Sequence, residues 1–214
     1  MVPLPRKSNK REKLLDAAAE AFWVNGYGST SLADIATSSD VPLGNIYYYF
    51  KTKAAIAEGV SEIFVAETRQ SLEEISQKHK NPIDRLVAFI ALLRESAESR
   101  AKLGCPLASG IRDFSDCVPT ARTKTNEVFD TLVTWLSQVL EDAQDKDAIR
   151  HARIIISRWQ GSIVLSHGSS NKQFLMEALD ELEQDIIAWT KQLAPAESLG
   201  RHSCYNGSPT NKRG

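Results

Sequence analysis

A short predicted helix carries three consecutive tyrosines, Tyr47, Tyr48 and Tyr49, within the stretch SLADIATSSDVPLGNIYYYFKTK. Ile46 and Phe50 are four residues apart and are predicted to point inward. The tyrosines cannot all be buried in so short a helix. A tyrosine offers a hydroxyl group to a phosphate and an aromatic ring to a sugar or a thymine methyl group. A tyrosine run alone is more typical of a rim around a small helical core, and contact with nucleic acid is favoured only together with the turn, the cap and the basic residues that accompany it.

The residues beside the tyrosines could complete a surface for phosphates and base edges. Gly44 leaves room for another backbone to approach closely, and Asn45 can hydrogen-bond to a base edge or to a phosphate. Lys53 stands at the predicted start of a fourth helix, where its ammonium group adds to the positive end of the helix dipole. Thr30 and Ser31 stand at the start of the second helix, so we expect them to contact phosphates as well.

Two short helices joined by a tight turn are predicted to position these side chains. The second helix begins at Ser31, which with Asp34 resembles a capping box. Residues 38–40 form the turn, and the third helix begins near Pro42, where the missing N–H is not needed. Thr52 can cap the long helix that follows. A helix of this size fits a DNA major groove; the alternative is a helical hairpin whose tyrosines form a rim around a core or bind another protein.

The rest of the sequence has helical periodicity almost throughout and no convincing strand alternation, so the chain is predicted to be all-α with about nine helices. Their approximate ranges are 8–25, 31–37, 42–50, 53–78, 82–100, 104–114, 119–142, 147–166 and 172–193. The first three helices form a predicted domain over residues 1–52, and the others form a second helical domain over 53–194. Residues 195–214 are rich in Gly, Ser, Pro, Asn and charge and are predicted to be a disordered tail.

Positive charge is concentrated towards the N-terminus. The 214-residue chain has a formal net charge of −1, but residues 1–55 carry seven basic and five acidic side chains. This part is therefore net positive and the remainder is net negative. The sign of the asymmetry suits a DNA-facing N-terminal domain, and solvated helix faces are the alternative explanation.

Other classes of protein find little support in the sequence. Apolar residues make up 42% of the chain and charged residues 25%, the ordinary balance of a soluble globular protein. No apolar run reaches the ~18–20 residues of a membrane span, and the N-terminus does not resemble a signal peptide. The three cysteines are widely spaced, which fits a reducing cytoplasm, and the four histidines form no ligand cluster. No HExxH, phosphate-loop or GxSxG motif occurs, so we expect a cytoplasmic protein that is not an enzyme and has no metal, cofactor or membrane contact.

The segment AAEAFWVNGYGSTSLADIATSSDVPLGNIYYYFKTKAAI, residues 18–56, resembles the DNA-binding region of the TetR family of bacterial transcriptional regulators. The residues that carry the resemblance are Phe22, Gly26-Tyr27, Thr30-Ser31, Asp34-Ile35-Ala36 and the spaced run Gly44, Tyr47, Phe50 and Lys53. The resemblance implies an N-terminal helix-turn-helix DNA-binding domain followed by a helical ligand-binding and dimerisation domain. It also implies that DNA is contacted by Thr30, Ser31, Leu43, Gly44, Asn45, Tyr47, Tyr48, Tyr49 and Lys53.

The sequence departs from the family pattern inside this motif. Asp40 stands in the turn where Gly is common, and we expect the turn to survive because Asp tolerates left-handed backbone better than most residues. Pro42 stands where Ser or Thr commonly opens the recognition helix, so a capping phosphate contact is not assured there. Tyr49 stands where His is frequent.

The resemblance further implies a homodimeric repressor that binds a palindromic operator in double-stranded DNA and is released by a small-molecule effector. Family members dimerise through their last two long helices, which here carry apolar stripes that could pair across a two-fold axis. The predicted interface residues are Ile155, Trp159, Ile163, Leu179, Leu182 and Ile186. The alternative is that both stripes are buried only against the core of the same chain.

An effector pocket among the middle helices is also implied by the resemblance. The candidate lining residues are Phe89, Leu93, Cys105, Leu107, Phe114, Phe129, Trp135 and Gln160. Most of them would also suit an ordinary core.

Cys105 suggests a different kind of signal. It lies in Gly104-Cys105-Pro106, where a helix is predicted to begin, and a helix N-terminus favours the reactive thiolate. The segment GCPLASGIRDF resembles a stretch in a subset of these regulators, some of which sense oxidants or electrophiles through cysteine. Cys117 is a possible resolving partner, and the alternative is that Cys105 is a buried structural thiol.

Overall fold

The computed structural model describes residues 10–191. Within that range the chain forms ten helices and no strand. They are α1 (Lys10–Asn25), α2 (Leu32–Ser39), α3 (Leu43–Tyr49), α4 (Lys53–Lys78), α5 (Pro82–Glu95), α6 (Ala97–Leu103), α7 (Pro106–Phe114), α8 (Pro119–Asp142), α9 (Ala148–Ser169) and α10 (Gln173–Lys191). None of these helices is long and apolar enough to cross a bilayer. The predicted all-α fold is confirmed, and the predicted tail at 195–214 lies outside the described residues.

The extra helix arises because the predicted helix at 82–100 is interrupted at Ser96. The Ser96 hydroxyl donates to the carbonyl oxygen of Leu93 (3.1 Å) and accepts from Nε of Arg100 (3.0 Å). A serine hydroxyl that bonds to nearby backbone competes with regular helical hydrogen bonds. As a result, α6 is a separate short helix, and its Arg100 is buried with the guanidinium over the Trp159 ring, 5.2 Å from the centroid.

The three N-terminal helices enclose a small apolar core. Ile35 of α2 and Ile46 of α3 are fully buried in it, and Phe50 closes it at the end of α3. The inward orientation predicted for Ile46 and Phe50 is thus confirmed. A helix as short as α3 is not stable by itself in water, so these apolar contacts hold it in place.

Helix α4 belongs to both halves of the molecule. Its first turns place Ile56, Ala57 and Val60 in the N-terminal core, whereas Val65 and Leu72 lie in the second core. Its Ser61 is fully buried and its hydroxyl lies 2.8 Å from that of Thr125 on α8. The predicted domain boundary at residues 52 and 53 coincides with the start of α4, but the packing runs across it.

The second core is built mainly by α5, α8, α9 and α10, and it contains all six residues predicted for the dimer interface. Ile155, Trp159, Ile163, Leu179, Leu182 and Ile186 are all buried inside the chain. We therefore correct that prediction: these stripes hold the chain's own helices together. Helical periodicity identifies a buried face, but it does not identify what covers that face.

Helix α7 reaches back into the N-terminal core. The ring of Phe114 packs edge-on against Phe22 (centroids 6.2 Å apart) and Tyr27 (5.3 Å), and it is almost completely buried. Phe114 therefore belongs to the junction between the two halves, which corrects its assignment to the effector pocket.

The junction predicts a large loss of stability when Phe114 is truncated. Phe114→Ala should lower the free energy of unfolding by about 3 kcal/mol because it removes a buried ring and leaves a cavity. The exposed aromatic Tyr48 is the matched control, and Tyr48→Ala should cost less than about 1 kcal/mol. Urea unfolding followed by circular dichroism at equal protein concentration measures both values. Equal losses for the two variants would contradict a structural role for the aromatic junction.

Candidate nucleic-acid interface

Helix α3 presents one side to solvent. Leu43 is 42% exposed, Tyr47 49% and Tyr48 79%, whereas Ile46 on the opposite side is fully buried. Asn45 and Tyr49 are half-buried, and the Tyr49 ring meets that of Tyr48 edge-on at 5.0 Å. Apolar and aromatic groups without a partner on a monomer surface indicate a contact surface for another molecule.

The backbone at the start of α3 is accessible. Gly44 is exposed, and a Cβ added there would meet no atom within 4 Å. The N-cap of the helix is Pro42, which makes no side-chain capping hydrogen bond. The first N–H groups of a helix have no partner in a preceding turn, and at α3 the Asn45 N–H donates to the Pro42 carbonyl oxygen (2.8 Å).

The turn between α2 and α3 keeps the expected shape despite the departure from glycine. Asp40 adopts left-handed backbone with φ 53°, and its N–H donates to the carbonyl oxygens of Ala36 and Thr37. The N–H of Val41 also donates to Ala36 (3.2 Å). These bonds end α2 as glycine-type helix caps do, so Asp40 replaces glycine without losing the turn.

Ser31 caps α2 as the sequence predicted. Its hydroxyl accepts from the Asp34 N–H (3.2 Å) and donates to Asp34 Oδ2 (2.7 Å), while its own N–H donates to the same oxygen (2.8 Å). These hydrogen bonds from Ser31 hold the pKa of Asp34 below its usual value. The exposed Ser31 hydroxyl therefore has only acceptor capacity left, so a phosphate at this end would meet backbone N–H groups.

Thr30 does not face the surface. It is 2% exposed, and its hydroxyl donates to the carbonyl oxygens of Ala21 (3.2 Å) and Gly26 (2.9 Å) at the end of α1. Its role is to join the α1–α2 loop to α1. This placement corrects the expectation that the Thr30 side chain contacts DNA.

Lys53 is half-buried and uses its ammonium group inside the domain. Nζ donates to the carbonyl oxygens of Tyr27 (2.8 Å) and Thr30 (2.9 Å), and it lies 4.3 Å from the centroid of the Tyr27 ring. These contacts tie the start of α4 to the α1–α2 loop.

Lys51 was not predicted as a DNA contact from the sequence motif. It is exposed, and its Nζ donates to the Tyr47 carbonyl oxygen (2.9 Å) at the end of α3.

The residues predicted to line an effector pocket are not brought together. Phe89, Leu93 and Leu107 are buried in the second core, and Phe129 and Trp135 pack against it. Only Cys105 and Gln160 line a common cavity of about 760 Å³. This interdomain cleft lies between the end of α1, the α6–α7 connection and α9, and its walls include Trp23, Gly104, Cys105, Arg112, Gln160 and His167.

Cys105 and Cys117 lie beyond opposite ends of α7. Cys105 is the buried N-cap of the helix, and its Sγ accepts from Nη1 of Arg100 (3.4 Å). Cys117 is exposed and follows the other end of a helix about 13 Å long. A disulfide requires Cα atoms within ~7 Å, so this arrangement does not favour Cys117 as a resolving partner.

Comparison with known proteins agrees with this architecture. A family model described as bacterial regulatory proteins of the tetR family matches residues 14–60, and one described as the C-terminal domain of LmrA/YxaF-like transcriptional regulators matches residues 82–181. The HTH-type transcriptional repressor NemR of Escherichia coli K12 is 25% identical over 190 residues, covering 83% of this chain and 94% of NemR. The nucleoid occlusion factor SlmA of Vibrio cholerae is 27% identical over 138 residues, covering 64% and 69% of the two chains.

Solved structures show the same fold. A TetR transcriptional regulator from Legionella pneumophila superposes with a TM-score of 0.74 at 22% identity, covering 85% of this chain and 99% of that one. The reduced form of E. coli NemR superposes with a TM-score of 0.69 at 22% identity, covering 83% and 97%. With both halves matched by family models and the helix-turn-helix in place, the chain belongs to the TetR family and is a DNA-binding transcriptional regulator.

Proposed function

We propose that the protein is a homodimeric repressor that binds a palindromic operator and is released by a small-molecule effector. The observation that carries the DNA-reading part is the exposed face of α3 above a buried anchor: Tyr47 and Tyr48 face solvent while Ile46 is fully buried. A rigidly held helix with exposed aromatic and polar groups can enter a major groove without a further change of fold.

The proposed contact set follows the exposure of each side chain. Tyr47, Tyr48 and Leu43 contact sugars and base edges, and Asn45 and Tyr49 contact bases or phosphates from positions nearer the core. Gly44 allows the phosphate backbone to come close to α3. Ser31 contributes through the N-terminal end of α2, and Lys53 contributes by holding the α1–α2 loop against the start of α4. We add Lys51 as a phosphate contact, because an exposed ammonium beside α3 attracts the DNA backbone.

The proposed dimer forms through the outer face of α9. Val164 is 68% exposed and Leu165 63%, although both are apolar. On the same side, Gly161 and Gly168 have open space where a side chain would stand. Small residues around an apolar centre let two helices approach closely. Two copies joined there would present two α3 helices to one DNA face, as a palindrome requires.

Repression and release are proposed from the relatives. NemR is named a transcriptional repressor and aligns over most of both chains. An effector would release the operator by favouring an orientation of the DNA-binding domains in which the two α3 helices no longer match the half-sites. A helical scaffold without DNA binding has less support, because every element of the helix-turn-helix is present.

A cysteine-based sensor is the second proposed function, and it assigns the chain to the subset that carries the Gly-Cys-Pro segment. Its support is the contact between Arg100 and Cys105. Burial lowers the pKa of the Arg100 guanidinium below its usual range, and the nearby Cys105 sulfur opposes that change. The described residues give Arg100 hydrogen bonds to Ser96 and Cys105 but no carboxylate ion pair, so the Cys105 sulfur is a direct contact of a buried guanidinium.

The α3 surface predicts which tyrosine changes weaken DNA binding. Tyr48→Ala should weaken specific binding to DNA upstream of the protein's own gene by tenfold or more, since a base or sugar contact contributes about 1–3 kcal/mol. Phe174→Ala, an exposed aromatic on α10, is the matched control and should bind like the unaltered protein. Fluorescence anisotropy with labelled DNA measures both affinities, and equal affinities for the two variants would contradict the proposal.

Lys51 should contribute to affinity without contributing to sequence preference. Lys51→Gln should weaken binding to specific and unrelated DNA alike and reduce the slope of log K against log salt by about one. Lys146→Gln, which changes an exposed lysine in the α8–α9 connection, should leave the slope unchanged. A Lys51→Gln slope equal to that of the control would remove Lys51 from the contact set.

The α9 face predicts a variant that is monomeric. Leu165→Arg should shift the mass from two chains to one in sedimentation equilibrium, because a charge placed at the centre of an apolar contact is left desolvated and unpaired. Leu43→Arg, a change to another exposed leucine, should stay dimeric. A dimer that tolerates Leu165→Arg must use a different surface.

The sensor proposal predicts different behaviour for the two described cysteines. If Cys105 is the sensor, hydrogen peroxide should release the operator from the Cys117→Ser variant but not from Cys105→Ser. Both variants should bind the operator normally before oxidation. Release from Cys105→Ser at the same peroxide concentration would exclude this function.

A further inference from the structure

The interdomain cleft has the volume of a ligand site and is partly open to solvent. Its volume is about 760 Å³, within the roughly 300–1,000 Å³ of small-molecule pockets. It is bounded by α1 of the DNA-binding domain on one side and by α7 and α9 on the other. A molecule bound there would touch both halves of the chain at once.

One wall of the cleft is apolar and held in position. Trp23 lines it from α1, and the buried Ile163 lines it from α9, beside the Val164 that the proposed dimer contact would cover. The Trp23 indole N–H donates to the carbonyl oxygen of Gly104 (3.2 Å), which fixes the ring across the domain boundary. Such a wall suits a flat aromatic or aliphatic body, because its burial removes apolar area from water.

A hydrogen-bond donor without a partner lies in the same cleft. Nε2 of Gln160 is enclosed by the protein and has no hydrogen-bond partner among the described residues, and Gln160 lines the cavity. An enclosed donor without an acceptor is unfavourable by roughly 1–3 kcal/mol. Because that nitrogen has almost no exposed surface, it meets a ligand oxygen only if the Gln160 side chain turns towards the cleft.

The charges around the cleft favour an anion. Lys102 and Arg112 line it, and Asp113 is the acidic residue in the lining. That carboxylate is already engaged, since Arg112 Nε donates to it (2.9 Å) and the Tyr27 N–H donates to it (3.3 Å). His167 also lines the cleft, with Nδ1 3.3 Å from the Ala101 carbonyl oxygen, which leaves Nε2 for a ligand.

We propose that the interdomain cleft is the effector site and that it binds an organic anion with a flat apolar body, the acidic group facing Lys102 and Arg112. This inference rests on the proposed function for its regulatory meaning, but ligand binding can be measured without DNA. The contacts at the edge of the cleft, Trp23 to Gly104 and Tyr27 to Asp113, join the two halves of the chain. A ligand that displaces either one alters how α1 is held against α7.

The test uses two fluorescent probes that differ by one acidic group. 1-Anilinonaphthalene-8-sulfonate carries the flat apolar body and a sulfonate, and N-phenyl-1-naphthylamine carries the same body without the charge. The full-length protein should bind the anionic probe at least about tenfold more tightly, because the lining carries two cationic side chains against one carboxylate that is already ion-paired. Equal affinity for the two probes would overturn the assignment of an anion.

Two variants locate the bound probe. Lys102→Gln combined with Arg112→Gln should weaken the anionic probe about tenfold and the neutral probe less than about twofold. Ala108→Trp, which places a large ring at an exposed position lining the cleft, should weaken both probes. Lys146→Gln is the charge control and should change neither. Unchanged binding of the anionic probe in both cleft variants would place it elsewhere, for example at the exposed Phe174 of α10, and would overturn the site.

The effect of the bound probe on operator binding is measured in a separate experiment. Saturating anionic probe should weaken operator binding by the unaltered protein, and the paired Lys102 and Arg112 variant should require about tenfold more probe for the same effect. Probe binding that leaves operator affinity unchanged would reject the effector role while keeping the ligand site. Loss of operator binding by the paired variant before any probe is added would indicate that it is misfolded, which circular dichroism checks. The probe pair and the Ala108→Trp variant would then decide the site.

Discussion

The contact of Phe114 with Phe22 and Tyr27 is the interaction on which the rest of the arrangement depends. It places a residue of α7 inside the core that supports the reading helix. Tyr27 is also held by Asp113 through its N–H and by Lys53 through its carbonyl oxygen. Contacts from α7 and from α4 therefore hold the α1–α2 loop in place. A shift of either helix would displace this loop.

This junction holds the DNA-binding surface in place and connects it to the second half of the chain. Helix α3 has seven residues and depends on Ile46 and Phe50 for its position, and Phe50 lies in the same core as Phe114. A change at the interdomain cleft therefore has a short physical route to α3. The route consists of packed rings and of hydrogen bonds with defined partners. Close-packed contacts of this kind have low compressibility and therefore transmit a displacement.

Local chemistry was predictable from the sequence, and tertiary partners were not. The capping box at Ser31, the cap at Thr52 and the burial of Ile46 follow from residue type and spacing alone, and the structure confirms each one. Thr30 and Lys53 have the side chains expected of phosphate contacts, but carbonyl oxygens of the α1–α2 region engage them first. Sequence shows what a side chain can donate, whereas the donor's partner depends on loops that pack from elsewhere.

The same limit explains the dimer and pocket residues. The stripes on α9 and α10 are apolar because they close the chain's own core, while Val164 and Leu165 directly follow the buried Ile163 and face solvent. Similarly, the bulky residues of α5 and α8 fill a core, and the cleft arises where α1, the α6–α7 connection and α9 fail to fill the space between them. A cavity between domains leaves no periodic signal.

The measurement that most directly tests the central claim is a hydroxyl-radical footprint of the protein on DNA upstream of its own gene. A dimer that places two α3 helices in successive major grooves predicts two symmetric protected patches separated by about 10 base pairs or a multiple of it. Tyr48→Ala should remove both patches at the same protein concentration. A single patch, or a footprint unchanged by Tyr48→Ala, would contradict the account.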